Sequence, residues 1–132
     1  MSNLKTITPT RAAELVREGA VLIDIREAHE HASENIPGAR HHALSQIDAR
    51  HPARPGDTVL IYHCKSGGRT NMNAQRLAAV SGQCDVYLLG GGIEAWKRAG
   101  LPTSAGTQQA ADKPASGGAQ GGFLNRLSAL FR

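Results

Sequence analysis

Aromatic side chains are scarce in this 132-residue chain, at one Trp, two Tyr and two Phe. A hydrophobic interior must therefore be built from Val, Ile, Leu and Ala, which suits compact α/β packing. Long apolar runs are missing as well: none approaches the roughly 20 residues that a membrane-spanning helix needs. The opening MSNLKTITPT lacks the apolar stretch of a secretion signal, so a soluble, cytoplasmic protein is expected. Cysteine occurs only at Cys64 and Cys84. At most one disulfide is available, and a reducing cytosol argues against it, so each thiol needs its own explanation. No block of Lys and Arg is present either. Fifteen basic against eleven acidic side chains leave a formal charge of +4, without the clustered arm of a nucleic-acid binder. A small anionic substrate or plain solvation accounts for that balance, and no nucleic-acid partner is expected.

The length suits one domain with a real core. Leu4 to Ile7 reads as a short edge strand. TPTRAAELVREG reads as a helix with Thr8 as N-cap, Pro9 in the first turn, Gly19 as stop and Ala12, Leu15 and Val16 as its apolar stripe. VLIDI, residues 21–25, is a continuous apolar run, as expected of a strand covered on both faces. Residues 27–33 form a polar helical turn or two, broken by Pro37 and Gly38. A short strand at 39–42 and a short helix at 43–49 precede the turn RPGD and a second buried strand, TVLIYH. A helix is predicted over 70–80 with Met72, Leu77 and Ala78 inward, then a third strong strand in CDVYLLGG. The last helix, in GIEAWKRAGLP, has Trp96 as anchor and stops at Gly100, Leu101 and Pro102. Strands alternating with helices imply right-handed crossovers and a parallel sheet covered on two sides. Ligands of such sheets bind at the carboxyl ends of the strands.

From Thr103 the composition changes. TSAGTQQAADKPASGGAQGG, residues 103–122, reads as a flexible linker with nothing to bury. The folded domain is thus expected over 1–102. In the closing segment, residues 123–132, Phe123, Leu124, Leu127, Leu130 and Phe131 share one helical face. Two readings are open for Phe123 to Arg132: contact with a protein or membrane surface, or a frayed end.

The chemistry concentrates in IYHCKSGGRT, residues 61–70. A strand ending at Cys64 sets its sulfur at the carboxyl edge of the sheet. Gly67 and Gly68 let successive amides turn inward, and such a nest at a helix start attracts an anion and stabilises a thiolate. Lys65 and Arg69 add positive charge. The expected result is an exposed, ionised, nucleophilic sulfur in a shallow cup shaped for an anion. The plainer alternative, a small buried hydrophobic thiol, fits the neighbouring residues less well.

Three stretches, LIDIREAHEHASENIPGA, CKSGGRT and LLGGGIEAWKRAGLP, resemble in order the signatures of the rhodanese family of sulfurtransferases, over roughly Leu4 to Pro102. The resemblance implies a small five-stranded parallel sheet flanked by helices on both faces. It also implies a double displacement without a cofactor. Cys64 as thiolate takes the sulfane sulfur of a donor such as thiosulfate, becomes a persulfide, and passes the sulfur to cyanide or a thiol. Residues Lys65, Ser66, Gly67, Gly68 and Arg69 would hold the persulfide and the substrate anion. The family's usual histidine before Ile-Pro-Gly is Asn35 here, a departure expected to concern surface packing. Two other classes stay open. Cell-cycle phosphatases and arsenate reductases of this fold have one more residue between Cys and Arg, whereas four separate Cys64 from Arg69 here. Non-catalytic members typically lack the cysteine.

Sulfur attacking sulfur needs no general base, and the remaining polar residues are read as supports. His63 should point to the face opposite Cys64 and brace the loop by a hydrogen bond. Asp24 is expected to accept hydrogen bonds at the loop base, and Arg26 to pair with an acid such as Glu30. His29, His31, His41 and His42 match no firm metal-ligand spacing and are read as solvated surface, so no metal is expected. Cys84 reads as an inert buried thiol, with a resolving role towards Cys64 as the alternative.

Overall fold

Residues 4–48 and 51–105 are described by a computed structural model. In chain order the elements are β1 (Lys5–Ile7), α1 (Pro9–Arg17), β2 (Val21–Asp24), α2 (Ala28–Ser33), β3 (Glu34–Asn35), β4 (Arg40–His41), β5 (Val59–His63), α3 (Gly68–Met72), α4 (Ala74–Ala79), β6 (Asp85–Leu89), α5 (Gly92–Arg98) and β7 (Ser104–Ala105). Among the described residues five strands form one sheet in the order β1-β6-β5-β2-β4. Every pairing within it is parallel.

The alternating pleat sends neighbouring side chains of each central strand to different cores. Ile23, Leu60, Tyr62, Val86 and Leu88 join Leu77 and Val80 on one face. Leu22, Ile61 and Leu89 join Ala12, Ala13, Leu15, Ile93 and Trp96 on the other. Helix α4 thus covers the first face, while α1 and α5 cover the second. Each fully buried Ile or Leu contributes about 1.5–3 kcal/mol by leaving water. In the first core the Tyr62 hydroxyl lies 2.6 Å from Ser81 Oγ, which itself donates to the Leu77 carbonyl. With the serine proton committed there, Tyr62 is the donor of the pair, and burial pushes its phenol up to about 12.

Local chemistry explains the ends of α1. Thr8 Oγ1 accepts the Arg11 amide at 3.1 Å, and Pro9 occupies the first turn, where no N–H is needed. Several expected elements differ. The helix predicted over 70–80 is two, because Asn73 leaves helical geometry and its side chain donates to the Arg69 carbonyl at 2.8 Å. With that break Met72 is 87% exposed instead of inward, and Val16 is also part-exposed. The helix predicted at 43–49 is a single 3-10 turn at Leu44–Gln46. The short strands β3 and β7 pair antiparallel, Asn35 opposite Ser104. Ordered structure therefore continues past the boundary expected at 102, and the linker prediction fails for Ser104 and Ala105. Extended backbone there finds hydrogen-bonding partners that composition does not reveal. Residues 106–122 of the predicted linker, and the segment 123–132, lie outside the described residues. Among the described residues no helix is long and apolar enough to cross a membrane.

Candidate active site

Strand β5 ends at His63, so Cys64 is the first residue beyond the central strand of the sheet. Its side chain follows Leu60 and Tyr62 onto the α4 face. Lys65, Ser66 and Gly67 then fold back over it. Gly67 takes a left-handed conformation, φ +99°, and its N–H donates to Cys64 Sγ at 3.1 Å. The Thr70 hydroxyl bonds the Gly67 carbonyl at 3.1 Å and lies 3.9 Å from the same sulfur. These contacts shut the sulfur in: Cys64 is only 1% exposed. The expectation of an exposed thiol is therefore corrected. A strand end that points towards the core, with the loop returning onto it, leaves the sulfur beneath a rim instead of in an open cup. Lys65, Ser66 and Gly68 form the exposed part of that rim. Among the described residues Gly67 is the one backbone donor on Sγ, so the collar of several amides inferred from the glycines is not formed around the sulfur itself.

Helix α5 holds the loop from the other side. The amides of Ile93 and Glu94 donate to the carbonyls of Cys64 and Lys65 at 2.9 and 3.1 Å. Peptide units are trans and planar, so the N–H groups of Lys65 and Ser66 point away from α5. This close approach requires Gly92. A Cβ built there would stand 2.5 Å from both carbonyl oxygens, and its φ is +60°. Gly92 and Thr70 were not singled out by the sequence reading. The signal for Gly92 is the third glycine of LLGGG, which opens the stretch GIEAWKRAGLP read as the last helix.

Beneath the loop lies a buried polar cluster. Asp24 Oδ2 accepts from Arg26 Nη2 at 2.8 Å and from His31 Nδ1 at 2.8 Å, while Oδ1 accepts from Arg26 Nε and from the Arg26 amide. Burial alone would raise this carboxyl, but the hydrogen bonds from Arg26 and His31 and the nearby His63 hold it well below the usual carboxylate range. His63 faces away from the sulfur, and its Nδ1 lies 3.1 Å from the Cys64 carbonyl. A carbonyl only accepts, so Nδ1 carries the proton. Nε2 has no hydrogen-bond partner among the described residues and stands 3.9 Å from Asp24 Oδ2. Burial pushes the His63 imidazole down despite the neighbouring carboxylate.

The acid that Arg26 pairs with is Asp24, where Glu30 was offered as the example. Two residues beyond Asp24, Arg26 folds back onto that carboxylate and the Glu34 carbonyl. Glu30 instead takes Arg69 in a two-pronged ion pair, Nη1 to Oε1 at 2.8 Å and Nη2 to Oε2 at 2.9 Å. The sequence separation of 39 residues hid this partnership from local reading. His31 and His41 are likewise not free surface groups. Their rings stack at 4.5 Å, and His41 Nε2 donates to the Arg26 carbonyl. Asn35 donates to the His31 carbonyl at 2.9 Å, on the same side of the fold. Among the described residues no group of three or more His, Cys, Asp or Glu side chains is placed to hold a metal ion. Cys64 and Cys84 are both free thiols, and Cys84 donates to the Asp57 carbonyl at 3.3 Å. A groove of about 570 Å³, lined in part by Val16, Ile36, Trp96, Leu101 and Pro102, does not include the cysteine loop.

Comparison with known proteins shows what the chain is similar to. The profile of the Rhodanese-like domain matches residues 8–99. The thiosulfate sulfurtransferase GlpE of Ectopseudomonas mendocina (strain ymp) is 37% identical over 114 residues, covering 83% of this chain and all of that protein. Among solved structures, a thiosulfate sulfurtransferase from Pseudomonas aeruginosa superposes with a TM-score of 0.68 at 32% identity, over 81% of this chain and 20% of that one. A protein of unknown function from Rhodopseudomonas palustris CGA009, described as a possible tyrosine phosphatase, gives a TM-score of 0.63 at 26% identity, over 76% of this chain and 85% of that one. With a match spanning most of the folded residues and the cysteine loop at the carboxyl edge of its sheet, the chain belongs to the rhodanese-like domain family.

Proposed function

We propose that the protein is a sulfurtransferase working through a persulfide on Cys64, with thiosulfate or a related persulfide as donor. The observation that carries this reading is the Gly67 N–H aimed at Cys64 Sγ from 3.1 Å, beyond the end of the central strand. That amide hydrogen-bonds the sulfur that attacks, and the thiolate is the nucleophile. It attacks the outer sulfur of thiosulfate. The new S–S bond forms as the old one breaks, the bonding pair leaves with sulfite, and no proton moves. An acceptor, cyanide or a thiolate, then attacks the outer persulfide sulfur, and Cys64 departs as thiolate. The names of the similar proteins support thiosulfate as donor.

Each part of the site has a task in this scheme. Lys65 and the amides of Ser66 and Gly68 meet the donor anion at the exposed rim, which yields to admit it. Thr70 and Gly67 hold the sulfur in line. Asp24, Arg26 and His63 keep the strand ends and the Cys64 carbonyl fixed. Phosphoryl transfer fits less well. It needs a guanidinium on the equatorial oxygens above the cysteine, whereas Arg69 is committed to Glu30. The reaction belongs in a reducing cytoplasm, where thiols are the abundant acceptors.

Mass spectrometry after incubation with thiosulfate tests the reading. One added sulfur atom on the peptide containing Cys64, absent in Cys64→Ser and removed by cyanide, is the expected outcome. An unmodified peptide after prolonged exposure, with no thiocyanate formed, would show that the chain does not do this chemistry.

A further inference from the structure

The loop over Cys64 carries two cations, Lys65 and Arg69, and the structure treats them differently. Lys65 is exposed and makes no ion pair among the described residues. Both terminal nitrogens of Arg69 are taken by Glu30, at 2.8 and 2.9 Å. Glu30 is itself anchored, because its Oε1 also accepts the Glu27 amide at 3.1 Å at the start of α2. The pair is part-buried, with side chains 36% and 22% exposed, so solvent screens it only partly. Paired with Arg69, the Glu30 carboxyl is pushed down to about 2 and stays ionised at any working pH. The neighbouring cations are also compensated, Arg26 by Asp24 and Arg76 by Asp48. One uncompensated positive charge, that of Lys65, is left on the loop.

We infer that Glu30 is a specificity-determining residue that, by neutralising Arg69, sets how strongly the site prefers a doubly charged sulfur donor to a singly charged one. The inference rests on the sulfur-transfer reading above. Glu30 touches no substrate. It acts on the field at the rim, where a dianion such as thiosulfate gains twice as much from each added positive charge as a monoanion such as methanethiosulfonate. Both donors present a terminal sulfane sulfur and leave an oxyanion of sulfur, so they differ mainly in charge.

The test compares kcat/KM for thiosulfate and for methanethiosulfonate in the full-length protein. Glu30→Gln keeps the side chain's size and its acceptor for the Glu27 amide while uncovering the Arg69 charge. The ratio of thiosulfate to methanethiosulfonate efficiency is expected to rise roughly two- to fivefold at low ionic strength and to fall back in high salt. Arg69→Gln, which leaves Glu30 uncompensated, is expected to move the ratio in the opposite direction. Glu30→Asp keeps the charge and is expected to keep the ratio, even if turnover with both donors declines. A ratio unchanged in Glu30→Gln, or shifted equally by Glu30→Asp, overturns the inference and leaves a merely structural clamp. Persulfide formation on wild-type Cys64 with both donors separates this result from failure of the underlying reading. If neither donor modifies Cys64, both fall together.

Discussion

Replacing Gly92 by alanine probes the assembly of the site at one atom. The added Cβ would lie 2.5 Å from the carbonyl oxygens of Cys64 and Lys65 and 2.6 Å from the Lys65 carbonyl carbon. All three are backbone atoms, so no flexible side chain can swing aside. Relieving the overlap displaces the two carbonyls from the Ile93 and Glu94 amides that bind them at 2.9 and 3.1 Å. Each such hydrogen bond contributes about 1 kcal/mol net, and more if its groups are left buried and unpaired. The left-handed backbone at φ +60° costs a further 1–2 kcal/mol or so once a Cβ is present. The sum is roughly 3–5 kcal/mol, against about 5–15 kcal/mol of total stability for a domain of this kind. At about 4 °C per kcal/mol the melting temperature should drop by roughly 12–20 °C. Gly100→Ala is the control, since it also has a positive φ, +79°, but nothing lies within 4 Å of its added Cβ. The assay pairs thermal unfolding with persulfide yield on Cys64, measured well below the transition. The carbonyls that move are those of Cys64 and Lys65 themselves, so persulfide yield per folded molecule should fall at least roughly tenfold, the scale of a misplaced reacting group. A Gly92→Ala protein with the stability of Gly100→Ala and normal persulfide yield would refute the claim that α5 positions the loop.

Other outcomes follow from the polar cluster and the chain ends. Asp24→Asn removes the carboxylate that neutralises the buried Arg26 guanidinium, and urea unfolding should register a loss of about 3–5 kcal/mol. A loss below about 1 kcal/mol would mean that the Glu34 carbonyl suffices for Arg26. Burial holds His63 below the ordinary histidine range, so the folded protein keeps it neutral while the unfolded chain takes up a proton below about pH 6.5. The unfolded state then binds more protons, and stability should fall by up to about 1.4 kcal/mol per pH unit as pH drops below about 6.5. His63→Asn keeps a donor for the Cys64 carbonyl and should flatten that part of the profile; an unchanged slope would exclude His63 as its source. A chain ending at Ala105 should turn over within about twofold of the full chain, and a large loss would implicate residues 123–132 in the chemistry.

Much of the architecture was legible from the chain alone, because its signals are local. Apolar runs at Val21–Asp24, Val59–His63 and Asp85–Leu89 mark central strands, and alternation sends their side chains into two cores. Thr8 and Pro9 announce the start of α1. The strand–Cys–glycine–helix run places Cys64 at the carboxyl edge, since backbone geometry there depends on a few consecutive residues. Even His63 facing away from the sulfur follows from strand periodicity.

What tertiary structure decided is where partners come from distant parts of the chain. Arg69 and Glu30 are 39 residues apart, and nothing local distinguishes that pairing from one between Arg26 and Glu30. The enclosure of Cys64 depends on how far the loop returns onto its own strand. Gly92 matters because α5 packs against backbone carbonyls of a loop some 28 residues earlier in the chain. Periodicity and turn chemistry are properties of neighbouring residues and can be read from their order. Charge compensation and close backbone approach depend on distances in space, which only the folded chain sets.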